Sequence, residues 1–178
     1  NVAVEKEACP LQLAPTSSTT ATLVMGDAIA VALMKVRDFQ DKDFAQFHPG
    51  GSLGRRLLTK VENIMITDAL PINKKEDKLI DVMHQMTSSG LGLSIICDNK
   101  KVIGIITDGD LRKAMEKEEH NFFTLKAKDI MTTTPKKTLS SIKLIEAQKI
   151  MEDFEVNSLL VVNEENKLLG LITYKNIV

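Results

Sequence analysis

The chain has 178 residues, with 23 basic and 24 acidic side chains and a formal charge of −1, so no global field draws in nucleic acid or an anionic membrane. At 43% hydrophobic and 26% charged, it carries enough apolar side chains for one or two cores of ordinary soluble type. Cys9 and Cys97 are its two cysteines, too few and too far apart for a disulfide framework or a metal cluster; this fits a reducing, cytoplasmic compartment with both thiols acting as small buried hydrophobes.

In chain order, Val2-Ala3-Val4 reads as the end of a strand that begins upstream, and the first residue is Asn1 rather than Met, so a fragment or a partly ordered chain is expected. Glu7-Ala8-Cys9-Pro10 follows, then the hydroxyl-rich Thr16-Ser17-Ser18-Thr19-Thr20. That stretch could be a phosphate cradle, but before an apolar helix it is expected to cap. The longest apolar run, Leu23 to Met34, contains Asp27 and falls short of the ~20 residues of a membrane span. It reads as a core helix, with Gly26 in close backbone packing and Asp27 beside a satisfying buried partner. Phe47-His48-Pro49-Gly50-Gly51 then predicts a tight loop that presents His48 outward and opens a helix containing Arg55 and Arg56.

Beyond residue 60 the chain matches itself. Ile64-Met65 recurs as Ile130-Met131, Lys78-Leu79-Ile80 as Lys143-Leu144-Ile145, and Gly104-Ile105-Ile106-Thr107 as Gly170-Leu171-Ile172-Thr173, at offsets of 66, 65 and 66. Such a repeat governs the fold. In the first copy Leu79, Val82, Met83 and Met86 have helical spacing, and Leu93–Cys97 and Val102–Thr107 are short β-rich runs around Asp98-Asn99-Lys100. A helix from Asp108 to Lys117 follows, with Leu111, Ala114 and Met115 inward. In the second copy Ser140 or Ser141 caps a helix holding Leu144, Ala147 and Met151; strands at Leu159–Val162 and Leu168–Thr173 flank the turn Glu164–Asn166. Each copy is thus expected to be α-β-β-α, marginal alone at about 60 residues and stable when two pack sheet to sheet.

The run Gly104-Ile105-Ile106-Thr107-Asp108-Gly109-Asp110-Leu111-Arg112 resembles the closing motif of CBS domains, which occur in tandem pairs. That resemblance implies a ligand cleft between the repeats in which Thr107 and Asp110 hold the ribose or phosphate of a nucleotide, with Thr173 as the second-copy equivalent and Asp129 adding a polar contact from the linker. The residue types suit this role: a carboxylate accepts from sugar hydroxyls, and a Thr hydroxyl with free helix N–H groups can face phosphate. Where the first copy has Asp110 the second has Asn176, so one good half-site is expected. The competing reading is that Thr107 and Asp110 only cap the following helix, and that Asp129 is a solvated linker charge.

The amino-terminal motifs, Glu7-Ala8-Cys9-Pro10 through Phe47-His48-Pro49-Gly50-Gly51-Ser52-Leu53-Gly54-Arg55-Arg56, resemble the end of the SIS (sugar isomerase) domain of the arabinose-5-phosphate isomerase family. The resemblance implies an α/β (α+β) fold class: the C-terminal fragment of a three-layer αβα SIS domain in residues 1–60, then CBS repeats at 61–120 and 121–178. It implies interconversion of D-arabinose 5-phosphate and D-ribulose 5-phosphate, at the entry to Kdo and lipopolysaccharide biosynthesis, with Glu7 and His48 catalytic. Such a reaction passes through an enediol and needs a base and a group that handles hydroxyl and carbonyl protons; which of the two takes the carbon-bound proton stays open. As bare residues, His48 reads as a loop cap and Glu7 as a surface charge.

No cofactor or metal is required on this reading, and His84 and His120 lack a second ligand at metal spacing. The cleft ligand is expected to be an adenine nucleotide or a nucleotide sugar such as CMP-Kdo, and the other partners a sugar phosphate and further copies of the chain in a dimer or tetramer. Without most of the catalytic domain the chain is expected to be inactive. The alternative is a stand-alone nucleotide sensor with residues 1–60 as a vestigial arm.

Overall fold

In the computed structural model, which describes residues 1–48 and 50–177 and only the backbone of 52, 53, 119 and 120, the chain divides into two units, Asn1–His48 and Pro49–Val178. In the first, a coil runs to Thr16, followed by helices α1 (Ser17–Val36) and α2 (Asp41–Phe47). Residues Val2–Val4 form no strand, because an extended segment becomes a strand only where a neighbour pairs its backbone. Helix α1 overruns the apolar stretch at both ends and, at 20 residues, is long and apolar enough to cross a membrane by length and composition, as core helices of soluble proteins also are. None of its residues is buried. Gly26 has open space around it and Asp27 is exposed, so the close packing and buried partner expected there are not found within this chain.

The second unit is a duplicated fold. Each copy begins with a two- or three-residue strand, β1 (Ile72–Asn73) or β4 (Lys137–Leu139), then a helix, α4 (Leu79–Ser89) or α7 (Leu144–Asp153). A hairpin follows, β2 (Leu93–Asp98) with β3 (Lys101–Thr107), or β5 (Ser158–Val162) with β6 (Leu168–Thr173). Helices α5 (Asp108–Glu118) and α8 (Tyr174–Ile177) close the copies. The order is therefore β-α-β-β-α. The extra strand pairs in parallel with the first hairpin strand, and at this length it leaves no alternation to read in the sequence. Asn99 and Lys100 turn the first hairpin with φ of 49° and 66°, the signature of a tight hairpin turn.

Leu79, Val82 and Met86 of α4 and Leu111 and Ala114 of α5 close on Ile96 and Ile106 as one core, which Phe122 completes. Met115, expected inward, is half exposed; the stripe of α5 is narrower than its apolar residues suggest. The second core gathers Leu144, Ala147, Met151, Leu159, Val161 and Ile172. Neither Ser140 nor Ser141 caps α7: Lys143 is its first flanking residue, and Glu146 accepts from the Lys143 N–H at 2.8 Å. The opposite sheet faces meet in a third core containing Leu93, Ile95, Cys97, Leu160, Val162 and Leu171.

The copies also exchange their leading segments. Val61, Ile64 and Met65 pack into the second copy's core, while Ala127, Ile130 and Met131, on helix α6 (Ala127–Ile130) and just past it, pack into the first. Ile66 and Leu171 donate N–H groups to each other's carbonyl, at 2.7 and 2.9 Å, and Ile105 and Thr132 do likewise at 3.0 and 2.8 Å. Helix α3 (Ser52–Leu58) precedes the first of these segments and packs on α7.

Candidate functional site

Between the repeats lies a cleft of about 1110 Å³ whose wall includes Thr107, Asp110, Thr173 and Asn176. Strand β3 runs directly into α5, so Thr107 ends the strand one residue before the helix begins. Its N–H and hydroxyl donate to Asp110 Oδ2 at 2.9 and 2.7 Å, and the Asp110 N–H returns a bond to Thr107 Oγ1 at 3.3 Å. In the second copy, Thr173 donates through N–H and hydroxyl to Asn176 Oδ1 at 3.3 and 2.5 Å. The first pair therefore makes the reciprocal contact of a helix cap and the second makes its Thr-to-Asn half, and both do so on the cleft wall. The amide oxygen of Asn176 reproduces the acceptor without the charge. Among the described residues Asp110 is engaged through Oδ2, which leaves its second oxygen to accept from a ligand hydroxyl.

Two approach loops form the rest of the wall. Gly90 ends α4 at φ 65° and Gly92 follows at 66°; a Cβ on Gly92 would stand 3.1 Å from Asp108 Oδ2. The equivalent loop has Glu155 at φ 52°, in the left-handed region that glycine fills without strain. Each loop carbonyl receives the first N–H of the following helix: Asp108 donates to Gly92 at 3.1 Å and Tyr174 to Asn157 at 2.9 Å. Lys136 and Lys175 supply cationic groups to the wall, and Lys136 Nζ rests 3.6 Å from the centre of the Phe154 ring. These lysines and Glu155 were not singled out from the sequence. The repeat offset was the available signal, because it maps Gly90 onto Glu155 and Asp108-Gly109 onto Tyr174-Lys175.

Asp129 does not line the cleft. It accepts from the Lys126 N–H at 2.8 Å and caps α6, because the segment exchange turns the apolar side of α6 into the first core and leaves Asp129 exposed.

Glu7 caps the start of α1. Its Oε2 accepts from the Thr16 N–H at 2.7 Å, the Thr16 hydroxyl at 3.0 Å and the Ser18 N–H at 3.3 Å. The Ser18 hydroxyl and the Thr16 N–H, with the other donors around them, lower its pKa from the usual 4.5 to about 2. The hydroxyl-rich stretch thus supplies donors to a cap nine residues upstream, and Thr16 itself makes no side-chain capping bond. Thr16 Oγ1 also accepts from Ala8 and Cys9 N–H groups, at 2.8 and 3.3 Å, and Gln12 Nε2 donates to the Glu7 and Cys9 carbonyls, each at 3.0 Å. Cys9 is half-buried rather than buried, and the N–H groups of Ala14, Leu13 and Leu11 lower its pKa; burial raises that of Cys97.

His48 follows α2, donates its N–H to Phe44 O at 3.0 Å and stacks its exposed ring on Phe44, with centroids 4.6 Å apart at 13°. Glu7 and His48 share one compact unit but have separate partners. The following Pro49 lies outside the described residues. His84 lies on α4 and lines a smaller groove with Asp77 and Asp81; no group of three or more His, Cys, Asp or Glu among the described residues could hold a metal ion. The side chain of His120 lies outside the described residues.

Two sheets that exchange leading segments around a shared cleft define a tandem CBS pair, and the CBS domain family matches residues 61–117 and 127–178. The chain belongs to the CBS-domain family. Along its whole length it is similar to arabinose 5-phosphate isomerases: it is 44% identical to KdsD of Francisella tularensis, over 100% of this chain and 54% of that protein. It is 47% identical to KdsD of Escherichia coli K12, over 96% and 52%. The chain therefore spans about half the length of the curated relatives it matches. Among solved structures it resembles CBSX2 in complex with AMP (TM-score 0.58, 20% identity, 66% of this chain and 92% of that one). It likewise resembles the CBS pair of MJ0100 in complex with 5-methylthioadenosine and S-adenosyl-L-methionine (TM-score 0.60, 18% identity, 67% and 92%).

Proposed function

We propose that the intact protein to which this chain belongs interconverts D-arabinose 5-phosphate and D-ribulose 5-phosphate, and that the repeat pair is its regulatory ligand-binding module. The observation that carries this reading is similarity to arabinose 5-phosphate isomerases through both units, including the 60 residues before the repeats. Helix α1 fits it: a helix apolar on every side belongs inside a larger core, so its exposed Leu23, Val24 and Ile29 are faces for the rest of a sugar isomerase domain.

Of the two candidate catalytic residues, His48 is the better proton carrier. A carboxylate engaged by three donors and held at a pKa of about 2 is a weak base, whereas the His48 ring is exposed and stacked on Phe44. Glu7 then shapes the loop that leads into α1 and places acceptor charge beside the sugar. In the longer isomerase, His48→Ala is expected to lower kcat at least about 100-fold with an unchanged melting curve. Isomerisation at the unmodified rate by His48→Ala and Glu7→Ala would remove both from the site; activity in neither the longer protein nor its variants would favour the stand-alone sensor.

At the cleft, the ligand is an adenine nucleotide, held by Thr107 and Asp110 at the ribose and by Lys136 or Lys175 at the phosphate. Ligand-bound neighbours of the same fold and the charge on Asp110 but not Asn176 support this half-site. A nucleotide sugar such as CMP-Kdo is the competing ligand, and assembly as a dimer or tetramer in a cytoplasmic enzyme is part of the same reading. Calorimetry with AMP and with CMP-Kdo decides between the ligands. Equal heats for wild type and Asp110→Ala would count against the site.

A further inference from the structure

Helix α3 begins four residues after His48, and it is stitched to the second repeat. The Leu144 N–H, at the start of α7, donates to Thr59 O at 3.0 Å. Val61 and Glu62 donate to Ile142 and Ser140 carbonyls at 2.9 and 3.0 Å. Further along α7, Arg56 Nη1 donates to Gln148 Oε1 at 3.0 Å, and Gln148 Nε2 donates in turn to Glu152 Oε1 at 2.7 Å. Leu57 is buried. Arg56 is half-buried, and its Nε is enclosed with no partner among the described residues, so the guanidinium holds an unusual amount of its bonding in the one link to Gln148.

Helix α7 ends at Asp153, and the next turn holds Glu155, Val156 and Asn157, all on the cleft wall. Glu155 sits there at φ 52°, a conformation that the surrounding packing must impose. One rigid helix therefore has the cleft at its C-terminal end and α3 bonded along its flank. A ligand that reorders residues 155–157 acts on α7, and a shift of α7 reaches α3 through Arg56 and the Thr59–Glu62 backbone bonds.

We infer that the Arg56–Gln148 bond is the coupling element that carries occupancy of the cleft to α3. This rests on the reading of the cleft as a nucleotide site. Arg56 is a positioning residue on this account; it touches neither ligand nor substrate. Coupling of this kind moves both ends of the path, the cleft turn and α3, and each is read separately.

The test is hydrogen exchange of the 178-residue chain with and without AMP. Wild type is expected to show slowed exchange in peptides 107–111 and 155–158 and, at least about threefold, in 53–58. Arg56→Met keeps the stem and removes the bond; Gln148→Leu breaks it from the other side. In either variant the cleft peptides should stay protected by AMP, while the response of 53–58 falls by at least half. Equal AMP responses of 53–58 in all three proteins overturn the coupling, as does protection confined to the cleft in wild type. If AMP protects no cleft peptide, the nucleotide reading fails, and coupling is judged with Glu155→Gly, which relaxes the strained turn. That substitution should change the exchange of 53–58 at least about twofold in the wild-type background and not beside Arg56→Met. The same change in both backgrounds, or none in either, overturns it.

Discussion

Gly104 lies directly against Met131: a Cβ on Gly104 would stand 2.7 Å from Met131 Sδ. Gly170 stands in the matching place, where a Cβ would meet Ile66 O at 2.7 Å and Met65 Sδ at 3.1 Å. The glycine of each Gly-x-x-Thr thus receives the Ile-Met segment of the other copy. Two motifs that recur about 66 residues apart are the two halves of one contact, made twice.

That contact predicts unequal costs for the same substitution. Gly104→Ala is opposed by a flexible methionine side chain, which can rotate aside, whereas Gly170→Ala pushes on a backbone carbonyl that also accepts the Leu171 N–H. Overpacking of this kind costs about 1–3 kcal/mol, with Gly104→Ala expected at the lower end and Gly170→Ala at the upper. Urea unfolding of both variants checks this. Equal midpoints, or a Gly170→Ala protein as stable as wild type, would show that the segment yields freely.

Glu155 predicts a gain. At φ 52° a side chain is held in the left-handed region at a cost of about 1 kcal/mol, where the first copy uses Gly90. Glu155→Gly should raise the unfolding free energy by up to about 0.5 kcal/mol, net of the greater freedom glycine has when unfolded, and the reverse change, Gly90→Glu, should lower it by a similar amount. A destabilised Glu155→Gly would mean that the carboxylate makes compensating contacts.

Asp129 separates capping from ligand binding. Asp129→Ala removes the acceptor for the Lys126 N–H and should cost about 1 kcal/mol, as loss of a capping contact does, while the heat and stoichiometry of AMP binding stay those of wild type. A tenfold loss of AMP affinity would put Asp129 back in the cleft.

Glu7 makes the start of α1 sensitive to acid. Its folded pKa of about 2 lies below the ordinary 4.5 because the Ser18 hydroxyl and the Thr16 N–H favour the charged form. A depressed carboxylate pKa contributes stability that is fully present above the unfolded value and is lost as pH falls through the folded one. Exchange of the amides at Thr16 and Ser18 should therefore show an added opening between pH 4.5 and 2, after the intrinsic pH dependence is removed. Glu7→Gln should abolish that step. An identical profile in the variant would mean that the cap does not depend on charge.

Much of the second unit was legible because duplication writes the same information twice. Leu79, Val82 and Met86 recur as Leu144, Ala147 and Met151, and a period shared by two segments is stronger evidence than either alone. Thr107 and Asp110 were legible as a pair, although one spacing serves both a helix cap and a ligand contact, and the structure shows them making the cap while facing the cleft. Lys136 escaped notice because Lys136-Lys137 after Pro135 is a short charged pair with no periodic signature. Glu7 looked like a surface charge or a catalytic acid, and its place as the cap of α1 depends on a loop that closes across nine residues.

The sequence by itself determined the duplication, the hairpins and the buried stripe of α4, since these depend on side-chain period and turn chemistry within short windows. Only the tertiary structure decided that Ile64-Met65 serves the second copy and Ile130-Met131 the first. Both segments are apolar and fit either core; which one they enter depends on where the chain can reach and on which glycine leaves room for the methionine.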